Sequence, residues 1–422
     1  MLTPIEINTF DLLSLHKYNP KKYPFLLESS TLNHLGRYSF LFANPSDEIV
    51  LKNHQDFDFF EKINKKIKIK NKKSSFPFIG GWVLYLSYEM NAIIEPKLTQ
   101  TNHTQPLAYC VRIPSAIIID HKKGKTYLID EENSNSRLKS IQNDINQLKE
   151  ITTTKIQGTL TQENPDIFIK NIKKCKQYLK QGDIFQANLS REYNFKLSGK
   201  TSSVDIYQNL RLNNPAPFSA LINYQNFEII SSSPERLFLV DNNIIETRPI
   251  AGTNINKDVL ENSHKEKAEH IMLVDLERND LGKICEFSSI KTNELMTIEK
   301  LPFVFHLASN IQGKIKKEIQ IGDIIKALFP GGSITGCPKV RCMEIIKELE
   351  NKPRGAYTGS FGYISHHGRM DFNILIRTIV KEQQNLTFRA GAGIVYDSIA
   401  KNELEETQHK AKGLISSLCY HI

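Results

Sequence analysis

Short apolar runs dominate the first 130 residues, and turn residues cut each one off before it reaches the length of a useful helix. Tyr38–Ala43, Gly81–Tyr88 and Ala116–Asp120 are the clearest. Runs this short, alternating or continuously apolar and bounded by turn formers, read as strands. Residues 131–163 are polar, with a short helical stretch near Leu138–Leu148, and read as a connecting segment. A helix follows. Asn164 is a plausible N-cap, Pro165 suits the first turn, Phe168, Ile172, Cys175 and Leu179 form an apolar stripe, and Gly182 supplies the stop. From Ile184 onward strands and helices mix without βαβ repetition or internal repeat. The expected class is α+β, with large antiparallel sheets covered by helices.

At 422 residues the chain can bury a large core, as one elaborate domain or two closely joined ones. No apolar run reaches membrane-spanning length, and Met1–Asn8 lacks the charged and apolar regions of a secretory signal. The six cysteines, Cys110, Cys175, Cys285, Cys337, Cys342 and Cys419, show no paired CxxC spacing, so reduced thiols and a cytoplasmic location are expected. A net charge of +9 invites a nucleic-acid partner. The basic residues, however, are spread over lysine-rich surfaces such as Lys65–Lys73 and Lys314–Lys317, without interleaved aromatics. No nucleic-acid or membrane partner is expected.

Two acidic pairs, Glu266/Glu269 and Glu403/Glu406, share one spacing in segments that read as helix. Residues three apart lie on one helix face, where like charges repel unless a cation or a proton intervenes. Either pair alone fits an exposed helix face. Converging, the four would suit an oxygen-loving Mg²⁺.

The second half of the chain is more specific. In order come GDIFQANLSR (182–191), SSSPERL (231–237), TRPIAGT (247–253), EHIMLVDLERNDLG (269–282), FHLASN (305–310), GGSITGCPKVRCMEII (331–346), YTGSFGYIS (357–365), MDFNILIRT (370–378), GAGIVYDS (391–398) and NELEETQHKA (402–411). This series resembles the chorismate-utilising enzymes: anthranilate synthase and aminodeoxychorismate synthase components I, isochorismate synthases and salicylate synthases. FLLESS (25–30), GRYSFLF (36–42) and GGWVLYLSYE (80–89) extend the likeness into the N-terminal part. The resemblance implies a sandwich of large antiparallel sheets with helices outside. It makes 1–130 the sheet-rich N-terminal region of a component I enzyme and 164–422 its chorismate-binding catalytic region.

The resemblance also implies roles. Mg²⁺ is held by Glu269 and Glu406, with Glu266 and Glu403 acting through metal-bound water, and it takes the ring carboxylate of chorismate. Arg377, the Tyr363 hydroxyl and the backbone of a Gly391–Ala392–Gly393 turn receive the enolpyruvyl carboxylate. Arg377 also draws attention on physical grounds, because a cation in an apolar run needs an anionic partner. Glu235 matches the general acid that protonates the departing C4 hydroxyl, which requires a raised pKa; a salt bridge with Arg236 or Arg248 is its structural alternative. His306 matches a histidine beside the ring, and Ser333 a hydroxyl near the leaving group. Family members that add water carry a lysine base where this chain has Gln186, a side chain that cannot deprotonate water. Ammonia is already a competent nucleophile, so the chain resembles the ammonia users.

Within those, Asn188, Ser333-Ile334-Thr335-Gly336 and Ala216–Ala220 resemble the aminodeoxychorismate branch, which leads to 4-aminobenzoate and folate. Ala251 pulls toward anthranilate synthases, since several aminodeoxychorismate synthases have a nucleophilic lysine there. The balance favours aminodeoxychorismate; anthranilate and a catalytically silent regulatory relative are the alternatives. No segment is left over for a glutaminase, so ammonia is expected from a separate glutamine amidotransferase subunit. Leu26–Ser29 matches half of the family's tryptophan pocket, with the other half altered at Ala216–Ala220, so tryptophan inhibition is expected to be weak or absent.

Overall fold

The computed structural model describes residues 3–31, 35–54, 56, 58–70, 73–99, 105–254, 256–300 and 305–418; Cys419 lies outside them. Two antiparallel sheets, of 12 and 10 strands among the described residues, pack face to face. Both draw on the two ends of the chain. Phe25–Glu28 pairs with Phe218–Tyr224 in one sheet, and Gly81–Leu86 pairs with Ser360–Ser365 in the other. The N-terminal region and the catalytic region therefore complete each other's sheets. Even the connecting segment contributes, through the strand Gly158–Gln162, which pairs with Gln186–Leu197.

Burial explains why several strands are apolar throughout. All six residues of Gly81–Leu86 are buried. Val83 and Tyr85 face the inter-sheet core with Phe25, Phe42, Tyr109 and Phe361. Trp82, Leu84 and Leu86 face the other way, into a core roofed by the helices Phe59–Lys66, His264–Ile284, Ile321–Leu328 and Lys339–Glu350. A strand covered on both faces has no reason to alternate. A third core lies under Leu12–Tyr18, Asn135–Ile145, Ser203–Asn213 and Ala400–Leu418, on the outer face of the larger sheet.

The helix read from residue 164 onward spans Pro165–Gln181. The Asn164 side chain accepts from Asp166 N–H, and Gly182 closes the helix at φ 79°. Its stripe of Phe168, Ile172, Cys175 and Leu179 is buried. Each fully buried apolar side chain contributes roughly 1.5–3 kcal/mol, an upper bound because unfolded chains already bury some surface.

Candidate active site

The floor of the site is the pairing of Gln186–Leu197 with Asn385–Ile394, in register Asn188↔Gly393 and Ser190↔Gly391. Gly391–Gly393, read from sequence as a turn, runs inside this ladder as regular strand. Its glycines serve close approach instead. A Cβ on Gly391 would stand 2.7 Å from both Asn188 Oδ1 and Tyr357 Oη, and one on Gly393 would stand 2.3 Å from Gln186 Nε2. Ala392, between them, points into the apolar core and offers the site only backbone. Gln186 Oε1 and Asn188 Oδ1 are buried without a hydrogen-bond partner. Buried polar atoms are rarely left so, and both side chains lie against the bare glycines of the neighbouring strand.

Glu235 is 6% exposed and accepts a hydrogen bond from Ser333 Oγ at 2.7 Å. Neither nearby arginine takes it: Arg236 holds Asp371 with two bonds of 2.8 and 3.0 Å, and Arg248 is engaged by Glu294 and Glu299. Burial therefore dominates and pushes the Glu235 carboxyl up to about 7, against the opposing pull of Ser333 and of Lys410. His306 is pushed down to about 4 by burial and by the positive charges of Arg377 and Lys410, so it is a neutral imidazole near pH 7. Arg377 adopts φ +51°, unusual for a side chain of this size. Burial lowers its pKa, and its guanidinium makes a long 3.4 Å bond from Nη1 to Asn214 Oδ1. Among the described residues no carboxylate pairs with it.

The acidic pairs come from His264–Ile284 and Ala400–Leu418. Gly252 links the first of these helices to the pocket, since its Cβ position lies 2.8 Å from Glu266 Oε2 and its carbonyl faces His306 Nδ1 at 3.4 Å. On the second helix Glu403 is buried, while Glu406 pairs with Lys410 at 2.6 Å. Lys410 also donates to the Gly391 carbonyl. A set of carboxylates alone suits a hard cation. As they stand, however, no three acidic, histidine or cysteine side chains among the described residues are gathered into an ion-holding group.

A family model described as chorismate binding enzyme matches residues 22–416. The chain belongs to the chorismate-binding enzyme family. It is 38% identical over 405 residues to an anthranilate synthase component I-like protein of Synechocystis sp., covering 91% of this chain and 83% of that one. It is 35% identical over 431 residues to aminodeoxychorismate synthase component 1 of Bacillus subtilis, covering 93% and 90%. The crystal structure of anthranilate synthase component I from Streptococcus pneumoniae superposes with a TM-score of 0.81 at 33% identity, covering 90% and 92%. This chorismate-binding enzyme is thus of the anthranilate/aminodeoxychorismate synthase type.

Tyr363 requires a correction. Its ring packs against Phe40, Phe42 and Phe78 between the sheets, and its hydroxyl accepts from Arg369 Nε at 3.3 Å. Strand parity sends residues 361 and 363 into that inter-sheet core. The tyrosine at the floor of the site is Tyr357, whose hydroxyl meets the bare face of Gly391. Sequence reasoning passed over it, along with Lys410 and Glu277. All three lie inside the segments quoted above, but Glu277 and Lys410 sit there among other charged and polar residues, so nothing local marks them. The chorismate-binding enzyme also has a cavity of about 690 Å³ away from this site, lined by Leu27, Glu28, Pro217, Phe218, Arg236 and Arg369 among others. In it Glu28 is already held by Arg211 at 3.0 Å and Tyr207 at 2.8 Å.

Proposed function

We propose that this chain is aminodeoxychorismate synthase component I, aminating chorismate with ammonia to 4-amino-4-deoxychorismate. One observation carries the reading: Glu235 is buried, kept from both neighbouring arginines and hydrogen-bonded by Ser333, the setting an acid needs to keep its proton near neutrality. Such an acid delivers its proton to the C4 hydroxyl as that group leaves as water, a contribution of about 10²–10⁴ in rate. Arg377 supports the substrate assignment, since its guanidinium lacks a carboxylate that the enolpyruvyl arm would bring. Gln186 and Asn188 face the ring with neutral amides and leave the attack to ammonia. His306, neutral, can donate or accept a hydrogen bond at the ring without adding charge.

Mg²⁺ would be held by Glu269 and Glu406, backed by Glu266 and Glu403, and would supply positive charge to neutralise the ring carboxylate of chorismate. Ammonia would come from a separate glutamine amidotransferase subunit. Ala251, buried and without a nucleophile, favours a second reading as anthranilate synthase component I. The deciding experiment incubates the isolated chain with chorismate, Mg²⁺ and concentrated ammonium salt. The expected product is non-fluorescent and yields 4-aminobenzoate only after a lyase is added. Fluorescent anthranilate with equimolar pyruvate would move the assignment to the second reading, and unconsumed chorismate would overturn both.

A further inference from the structure

One buried carboxyl close to Glu235 has no part in the chemistry above. Glu277, on the helix His264–Ile284, is 8% exposed. It accepts the backbone N–H of Gly332. The contact is tight, since a Cβ on Gly332 would stand 3.2 Å from Glu277 Oε1 and 2.5 Å from Leu276 Cδ2. The next residue along, Ser333, donates its hydroxyl to Glu235. The loop Gly331–Ser333 is thus clasped between two buried acids, one through its backbone and one through a side chain.

The charges around the pair come from every element that packs on it. On its own helix Glu277 faces Asp280, which Lys283 holds at 2.9 Å and Lys339 of Lys339–Glu350 also holds. Lys339 faces Glu277 as well, and Glu235 faces it across the loop. Lys410 of Ala400–Leu418 pulls the Glu235 carboxyl down. Among the described residues no arginine bonds to either carboxyl. Burial, and after it the anions of Asp280 and Glu235, push Glu277 up to about 7 against the opposing pull of Lys339 and the Gly332 N–H. Two such acids titrate in steps that belong to the pair.

Taking Glu235 as the general acid of the reading above, we propose that Glu277 is its positioning residue. It fixes the loop that presents Ser333 and forms with Glu235 a coupled acid pair sharing the last buried proton. The consequence is that Glu235 retains a proton to higher pH than it would alone. Replacing Glu277 by glutamine keeps an acceptor for Gly332 N–H but removes the ionisable partner.

The test measures kcat/KM for chorismate against pH at constant free ammonia, for the parent and E277Q. The alkaline limb of E277Q is expected about one pH unit below that of the parent, the size at which coupling becomes macroscopic. Coincident limbs would overturn the inference, whatever happens to the plateau. A second measurement does not need turnover. Infrared difference spectra between pH 6 and pH 9 should contain two protonated buried carboxyl bands in the parent and one in each of E277Q and E235Q. The surviving band is expected to titrate lower than in the parent in both variants, as reciprocity demands. An unshifted surviving band would refute the pair even if the parent consumes no chorismate, so this inference and the functional reading fail separately. Should E277Q not fold, E235Q carries the same test from the other side.

Discussion

Ser333→Ala isolates the one hydrogen bond that opposes the burial of Glu235. Ser333 Oγ donates to Glu235 Oε1 at 2.7 Å. A hydroxyl donating to a carboxylate stabilises the charged form, so its loss raises the pKa of the acid. Hydrogen bonds to charged groups are worth roughly 1.5–3 kcal/mol, and one pKa unit corresponds to about 1.4 kcal/mol. The variant should therefore move Glu235 up by about one to two units from its starting point near 7. A general acid is active while protonated, so the alkaline limb of kcat/KM should move to higher pH by the same amount. The plateau should fall, because the hydroxyl also orients the acid. The assay is chorismate consumption between pH 6 and 10, with ammonium adjusted to hold free ammonia constant. A limb that stays in place, or moves toward acid, would refute the assignment of Glu235 as the proton donor.

The same burial makes a stability prediction: Glu235 binds its proton more tightly folded than unfolded, so its contribution is full below the ordinary carboxyl range and disappears as pH rises through about 7. Glu235→Gln should then resist urea better than the parent at pH 8, by up to roughly 3 kcal/mol, and lose that advantage at pH 4.5; a parent that is the more stable at pH 8 would contradict the burial argument. Arg377→Met removes a buried cation that pairs with no carboxylate among the described residues, so its Tm should hold or rise while KM for chorismate climbs about 10- to 100-fold; an unchanged KM would remove Arg377 from the substrate site. Tryptophan inhibition should be weak or absent, since Glu28 is already taken by Arg211 and Tyr207; half-inhibition at low micromolar tryptophan in steady-state kinetics would strengthen the anthranilate reading.

What the sequence made legible was what local chemistry decides. The helix Pro165–Gln181 could be read end to end because cap, first-turn proline, apolar stripe and left-handed glycine stop are all set within one segment. Gly391–Gly393 misled for the complementary reason. Its composition reads as a turn, but ten residues of pairing with Gln186–Leu197 override that preference and turn the glycines into clearance for Gln186, Asn188 and Tyr357. Tyr363 failed on parity: a strand buried on both faces gives no polar alternation to say which side chains meet the site, and a one-residue difference sends a side chain to the opposite face. Phe361 and Tyr363 filled the inter-sheet core, while Tyr357, just before the strand Ser360–Ser365, stayed at the floor. The sandwich of large antiparallel sheets was expected, but its strand order was out of reach because closure joins strands more than a hundred residues apart, such as Phe25–Glu28 with Phe218–Tyr224. Glu277 was hidden by the same logic. A glutamate two residues before Asn279 looks like ordinary helix surface until the Gly331–Ser333 loop, fifty-odd residues on, is laid across it. The residues that tune a proton in this fold are those whose burial is created by distant chain, so composition around them carries little warning of it.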